Sequence, residues 1–185
     1  MASIARCLRT AARRPVVPRL PAAAVRRSGS GPVAVRVPAR GFSATSIAML
    51  RRYTTDHEWI DLSADRKSGV IGISEYAAEK LGDVVYVEMP EPGSWIEQGD
   101  GFGAVESVKS ASDINAPIRC KVVQCNRLLE EKPSTINAVP EDDSHGGGWI
   151  VKVEVDEAGA KQVDSLMDID KYKEFIAEDV EASSQ

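Results

Sequence analysis

Acidic residues and lysine are both missing from the first 52 residues of this 185-residue chain. The same segment holds eleven arginines and is otherwise rich in alanine, serine and valine. An arginine-rich segment without acids is typical of a mitochondrial transit peptide. The run Arg40–Thr45 has the form of a two-step processing site whose final cut follows Met49. We therefore predict a disordered transit peptide over residues 1–49 and a folded domain over residues 50–185 in the mitochondrial matrix.

Long apolar runs are also missing, which argues against a secretory signal and a membrane-spanning helix. The 133 residues that follow the arginine-rich segment carry 12 basic and 28 acidic side chains, so this body is strongly anionic. A basic leader can also serve as a nucleic-acid-binding arm, but an anionic body would repel phosphate. We expect neither a nucleic-acid partner nor a membrane.

Cysteine and histidine are scarce. Cys7 lies in the leader, and Cys120 and Cys125 are separated by an odd number of residues, which places them on opposite faces of a strand. In a reducing compartment both are expected to be free thiols. Two histidines, His57 and His145, are too few for a metal site, and we interpret His57 as a packed strand residue.

Short apolar runs alternate with turn signals throughout the body, which is typical of an all-β sandwich or barrel. The predicted strands cover residues 58–62, 69–73, 84–87, 95–96, 121–125 and 149–155. Ser74 and Gly82 have the residue types of the two ends of a short helix, an N-cap and a left-handed stop. Asn126 caps a helical turn, residues 140–148 form a surface loop, and Asp168 opens a C-terminal helix.

One segment, Glu106–Asp113, is suited to presenting a single group. Small residues surround Lys109 there, between two strand-like runs, and leave its side chain unscreened on a hairpin. Nothing nearby would desolvate this lysine and lower its pKa, so it is a poor general base. It is a good target for an acylating enzyme. On these residues alone, a solvated lysine at a hairpin end remains the commoner alternative.

The segment Glu106–Asp113 resembles the lipoylation motif of the glycine cleavage system H-protein family. Further segments resemble the same family in the same order: residues 53–59, 72–77, 81–87, 132–137 and 148–153. Together the resemblance covers residues 53–177. It implies a mainly β fold of the lipoyl/biotinyl type, a β-sandwich or barrel-sandwich hybrid with short peripheral helices and a C-terminal helix.

The resemblance also implies a non-catalytic carrier with lipoic acid attached covalently to Lys109. In this family the lipoyl arm takes an aminomethyl unit from glycine at the decarboxylase (P protein) and delivers it to the aminomethyltransferase (T protein). Dihydrolipoyl dehydrogenase (L protein) then reoxidises the arm. Tethering raises the effective concentration of the intermediate at each active site. The implied partners are these three enzymes and a lipoylating enzyme.

The resemblance assigns roles to several acids. Glu106 is similar to the acid by which lipoylating enzymes recognise their target. Glu58 and Asp113, together with Asp56, match positions that line the cleft for the loaded arm, where carboxylates would pair with its ammonium group. The family usually has glycine at the position of Cys120, which suggests a positive φ that strains a cysteine. Either this turn differs or it carries strain.

Three alternatives stay open at this point. A lipoyl or biotinyl carrier domain of another acyl- or carboxyl-transfer complex usually has Asp-Lys-Ala or Met-Lys-Met at its target, where this chain has Val108-Lys109-Ser110. A cysteine hydrolase would use Cys120 or Cys125 with a histidine. An unmodified structural homologue would keep the fold and leave Lys109 bare.

Overall fold

The computed structural model describes residues 50–183, and the predicted transit peptide lies outside them. The strands are β1 Leu50–Tyr53, β2 Glu58–Leu62, β3 Ser68–Ile73, β4 Val84–Glu88, β5 Trp95–Ile96, β6 Gly101–Ser107, β7 Ala111–Asn115, β8 Cys120–Cys125 and β9 Val151–Glu154. The α-helices are α1 Glu75–Leu81, α2 Leu128–Glu131, α3 Thr135–Ala138, α4 Glu157–Gln162 and α5 Ile169–Ser183. Within this range, none of the helices is both long and apolar enough to cross a membrane.

Two antiparallel sheets share one hydrophobic core. The larger sheet has the strand order β1-β2-β3-β9-β8-β5, and the smaller one has the order β4-β6-β7. Both contribute buried side chains to the core, among them Ile60 and Ile71 from the larger sheet and Val105 and Ile114 from the smaller one. The predicted β-sandwich with short helices and a C-terminal helix is confirmed.

Strand β2 is buried along its whole length because both of its faces are covered. Successive side chains of a strand point to opposite faces, so Ile60 faces the shared core while Trp59 faces away from it. On that outer side Trp59 belongs to a second cluster with Tyr53 and with Tyr172 of α5. The Tyr53 and Tyr172 rings stack with their centroids 4.3 Å apart. The C-terminal helix therefore covers the outer face of the larger sheet.

The structure has the two ends of α1 and the start of α5 at the residues that the sequence predicts. The hydroxyl of Ser74 accepts the backbone N–H of Ala77 at 3.2 Å, which satisfies one of the free amides of the first turn of α1. Gly82 ends the helix with a φ of 73°, in the region that favours glycine. At the start of α5, a carboxylate oxygen of Asp168 accepts the N–H of Lys171 at 3.0 Å.

At two backbone positions the structure settles or corrects what the sequence suggested: at Cys120 the backbone differs from a left-handed turn, and His57 is not a strand residue. Cys120 is not left-handed: it begins β8, is fully buried and pairs with Ile96 across the sheet, so no strain arises there. Among the described residues, the non-glycine positions with positive φ are His57 and Arg66. His57, at φ 72°, lies in the turn before β2 and not in the strand, although its ring is packed against other rings as expected.

Several elements were not predicted. Strand β1 begins in the arginine-rich part of the sequence, and Arg51 is held there by an ion pair with Asp61 at 2.8 Å. Helices α3 and α4 are too short to show a clear helical period. The predicted loop at residues 140–148 is a loop, but both of its ends are buried, and the carbonyl of Pro140 accepts a hydrogen bond from the Trp59 indole at 3.2 Å.

The contact between Gly72 and Trp59 gives a test of this packing. A Cβ at Gly72 would lie 2.7 Å from Cζ2 of Trp59, and the indole N–H is held by the carbonyl of Ile73 at 2.8 Å. We expect Gly72→Ala to lower the free energy of unfolding, measured by urea denaturation, by about 1–3 kcal/mol through overpacking. The control is Gly101→Ala, whose Cβ would find its nearest neighbour, Oδ1 of Asn115, at 3.7 Å. An equal loss in both variants would contradict this account.

Candidate functional site

Lys109 lies at the exposed tip of the hairpin that joins β6 and β7, as the sequence predicts. The N–H of Ser107 donates to the carbonyl of Ser110 at 2.7 Å and closes the hairpin. The Ser107 hydroxyl accepts the N–H groups of Lys109 at 3.3 Å and of Ser110 at 3.0 Å. Because this serine satisfies the amides of the turn, the tip is ordered even though Val108 and Lys109 are exposed to solvent.

The hairpin tip is attached to the end of α1. The N–H of Val108 donates to the carbonyl of Asp83 at 3.1 Å. The Lys109 side chain passes over Gly82, where a Cβ would lie 3.1 Å from Cε and 3.4 Å from Nζ of the lysine. Gly82 therefore meets two requirements at once: its positive φ ends the helix, and its missing side chain leaves room for Lys109.

A cleft of about 290 Å³ adjoins the hairpin and has three walls. They come from the turn before β2 together with the start of β2, from α1, and from the hairpin residues 110–114. Asp56, Glu58 and Asp113, the three acids that the sequence assigned to such a cleft, all line it. Glu106 does not: it is exposed on β6, beside Tyr86 and Ala111 on the neighbouring strands.

Glu58 is a buried acid, and the residue is 1% exposed. One of its oxygens accepts the N–H of Asn115 at 2.9 Å, and the other accepts the hydroxyl of Thr54. Burial raises the pKa of Glu58, and these two donors offset that effect only in part. Asp56 and Asp113 are exposed. The cleft thus combines one buried acid with two exposed ones.

His57 connects the cleft to the C-terminal helix. Its Nδ1 lies 3.0 Å from the hydroxyl of Tyr172, and that hydroxyl donates to Oγ of Ser74 at 2.6 Å. The Tyr172 hydroxyl therefore links the imidazole of His57 to Ser74, the residue that caps α1. Burial, and next the positive charge of Lys80, lower the pKa of His57 below its ordinary value, so the imidazole is neutral at physiological pH. Burial raises the pKa of Tyr172 to about 12.

Lys80 is the cleft residue that sequence reasoning missed. It lines the cleft from α1, and its Nζ lies 2.5 Å from Oδ2 of Asp179 on α5. The hydrogen bond to Asp179 raises the pKa of Lys80 and in turn lowers the pKa of Asp179. A lysine near the end of a short helix is ordinary in sequence, and its partner is 99 residues away. Only the tertiary structure reveals this pair.

The thiols are poor candidates for catalysis. Burial raises the pKa of Cys120 to about 12, and it also raises the pKa of Cys125, whose Sγ donates to the carbonyl of Pro90 at 3.2 Å. A cysteine nucleophile needs a lowered pKa, because the thiolate is the reactive form. The hydrolase alternative is therefore disfavoured. Over residues 50–183 there is also no group of three or more potential metal-binding side chains.

Comparisons with known proteins agree with one another. A family model described as glycine cleavage H-protein matches residues 51–179. Glycine cleavage system H protein 2, mitochondrial, of Arabidopsis thaliana is 44% identical over 145 residues, which is 78% of this chain and 87% of the relative. The glycine cleavage system H protein of Phenylobacterium zucineum is 48% identical over 126 residues, 68% of this chain and 98% of the relative. A crystal structure of a glycine cleavage system H protein from Mycobacterium marinum superposes with a TM-score of 0.57 at 36% identity, covering 66% and 92% of the two chains.

The buried carboxylate of Glu58 gives a test of the electrostatics of the cleft. A raised pKa in the folded state means that wild-type stability falls as the pH rises from about 4.3, the unfolded value, through the folded one. Glu58→Gln keeps the shape without the charge. We therefore expect this variant to gain stability relative to wild type between pH 4 and pH 8, by more than the roughly 0.5 kcal/mol of surface substitutions. Asp113→Asn, at an exposed acid, is the control. A loss of relative stability at pH 8 in Glu58→Gln would contradict the prediction.

Proposed function

The chain belongs to the glycine cleavage H-protein family, and from that premise we propose that it carries a lipoyl group on Nζ of Lys109. One observation supports this most directly: a solitary exposed lysine at a hairpin tip adjoins a cleft lined by acids. We further propose that residues 50–185 are the carrier domain and residues 1–49 a transit peptide for the mitochondrial matrix. Relatives named as mitochondrial, in Arabidopsis thaliana, Drosophila melanogaster and Saccharomyces cerevisiae, support that location.

The residues around Lys109 fit covalent attachment of lipoic acid. The hairpin is narrow, so a modifying enzyme can surround the lysine, and Gly82 leaves its side chain room. Glu106 is exposed three residues before Lys109, where a lipoylating enzyme can contact it, and we propose it as the recognition residue. The attached lipoyl group would supply a disulfide as the acceptor of the aminomethyl unit of glycine, and removal of that unit would leave a dithiol.

In this proposal the chain has no turnover of its own and presents the arm to three enzymes in turn. The decarboxylase (P protein) supplies the aminomethyl unit, the aminomethyltransferase (T protein) removes it, and dihydrolipoyl dehydrogenase (L protein) restores the disulfide. Exposure of Lys109 supports this role, because each active site must reach the same tether. The tether keeps the intermediate at high effective concentration for each enzyme. The family assignment disfavours the alternative of a carrier domain from another complex.

The cleft acids have a role in the same proposal. The aminomethyl unit ends in an amine that is cationic at neutral pH, and the exposed carboxylates of Asp56 and Asp113 can form charge-assisted contacts with it. Leu81 and Val105, which also line the cleft, contribute apolar surface that limits the access of water. The buried Glu58 holds the wall together through its contact with the N–H of Asn115. The cleft would therefore shelter the loaded end of the arm between enzymes.

The role of Lys109 is tested by Lys109→Arg, which keeps the charge and the exposure. We expect stability to change by no more than roughly 0.5 kcal/mol, because the site is on the surface. Intact mass should show lipoylation of the wild type by a lipoylating enzyme and none of the variant. Glycine oxidation reconstituted with the P, T and L proteins should fall to background. Retained oxidation in the arginine variant would exclude Lys109 as the carrier residue.

The role of the exposed acids is tested by the double variant Asp56→Asn/Asp113→Asn. It should be lipoylated normally, since neither residue lies at the hairpin tip. After loading with labelled glycine and removal of the decarboxylase, it should release formaldehyde and ammonia about two- to tenfold faster than wild type, the range expected for two partly exposed charge contacts. The control, Glu130→Gln/Glu131→Gln on α2, removes the same charge outside the cleft. Equal release from all three proteins would mean that the cleft acids do not hold the amine.

A further inference from the structure

We propose that Asp179 of the C-terminal helix sets the charge of the cleft by pairing with the ammonium group of Lys80. This inference rests on the proposed function, in which the cleft receives a cationic amine. The role of the ion pair would be to keep the cleft selective for that amine. Asp179 is then a positioning residue: it acts through Lys80 and need not touch the amine. Neither the family assignment nor the resemblance of the sequence assigns a role to this pair.

The ion pair between Lys80 and Asp179 compensates a positive charge at the edge of the cleft. Lys80 lines the same cleft as Asp56 and Asp113 and is half exposed. Without a partner, its ammonium group would compete for these carboxylates and repel a second ammonium group entering the cleft. A cleft that receives an amine therefore requires the charge of this lysine to be compensated from outside the cleft.

The geometry supplies that compensation. Oδ2 of Asp179 lies 2.5 Å from Nζ of Lys80 and also accepts the hydroxyl of Tyr76 at 2.5 Å. Nζ of Lys80 lies 4.6 Å from the centre of the Tyr76 ring, in a cation–π contact. The lysine is thus held from two directions by groups that are not among the cleft acids. The hydrogen bond to Asp179 raises the pKa of Lys80, which fits an ammonium group stabilised by its partner.

The position of Asp179 is fixed by a buried anchor on the same helix. Tyr172 precedes Asp179 by seven residues, or two helical turns, and so lies on the same face of α5. Tyr172 is 2% exposed, stacks on Tyr53 and donates to Ser74, the residue that caps α1. The anchor and the ion pair therefore join α5 to both ends of α1, the helix that forms one wall of the cleft.

The affinity of the cleft for a small cation reports the charge of the cleft in the absence of any lipoyl group. Methylammonium is titrated into the unmodified full-length protein, and binding is followed by the NMR shifts of the Asp56 and Asp113 backbone amides. Asp179→Asn should weaken this binding about two- to fivefold, the range of partly exposed charge contacts. Adding Lys80→Gln to Asp179→Asn should restore it, because the uncompensated charge is then removed. Glu178→Gln, which removes a neighbouring exposed acid of α5, should bind as wild type does.

The double variant separates this proposal from a purely structural role of α5. If Asp179 only braced the helix, Lys80→Gln/Asp179→Asn would bind methylammonium as weakly as Asp179→Asn or more weakly. That result, or unchanged binding in Asp179→Asn, would overturn the proposal. Absence of methylammonium binding by the wild type would overturn it as well. Asp179→Glu, which keeps the carboxylate, should bind close to wild type.

A second measurement links the pair to the proposed function. In lipoylated protein loaded from glycine, Asp179→Asn should release formaldehyde and ammonia faster than wild type, and Lys80→Gln/Asp179→Asn should release them at the wild-type rate. The two hypotheses fail separately. If the wild type is not lipoylated or loaded, the proposed function fails while the methylammonium result stands. If loading is normal and Asp179→Asn releases at the wild-type rate, the proposed role of Asp179 in shielding the amine is wrong.

Discussion

The attachment of the Lys109 hairpin beside the end of α1 is the constraint on which the cleft depends: β6 pairs with β4 as far as Ser107 and Val84, and the N–H of Val108 donates to the carbonyl of Asp83 one residue further. The strand pairing and this hydrogen bond together hold the tip beside Gly82. Because it is docked, Lys109 lies over Gly82, and the strand that follows the tip becomes a wall of the cleft. In the proposed function, exposure of the lysine and shelter for its cargo are opposite requirements. This corner of the fold meets both by placing them side by side.

The cleft is not the most stable structure that these elements could form. Glu58 is buried although a neutral side chain of the same shape would avoid the loss of hydration. Its two hydrogen-bond donors, the hydroxyl of Thr54 and the N–H of Asn115, reduce the penalty without removing it. Acids retained at such a cost are more common at functional sites than in structural cores. The position of Glu58 beside two exposed acids fits that pattern.

Local signals in the sequence predicted the local parts of the structure. The ends of α1 and the hairpin around Lys109 followed from serine, glycine and small residues at definite positions, and the cleft acids followed from the family resemblance. The contact between Lys80 and Asp179 could not be predicted, because local sequence patterns carry no information about a contact between residues 99 positions apart. At Cys120 the resemblance left two possibilities open, a different backbone or a strained one. Residue type alone could not decide between them, and the structure has an extended strand there that accommodates the cysteine.

The burial of the two thiols has a consequence for thiol–disulfide exchange. A strained disulfide on a mobile arm is open to attack by any thiolate within reach, and a mixed disulfide would remove the carrier from use. Attack requires the ionised sulfur, and burial keeps Cys120, with a pKa of about 12, almost wholly protonated. The thiol of Cys125 also has a raised pKa and is tied to a carbonyl oxygen. Under the proposed function, the two thiols of residues 50–183 would therefore stay out of the exchange with the arm, and its reoxidation would be left to an external enzyme.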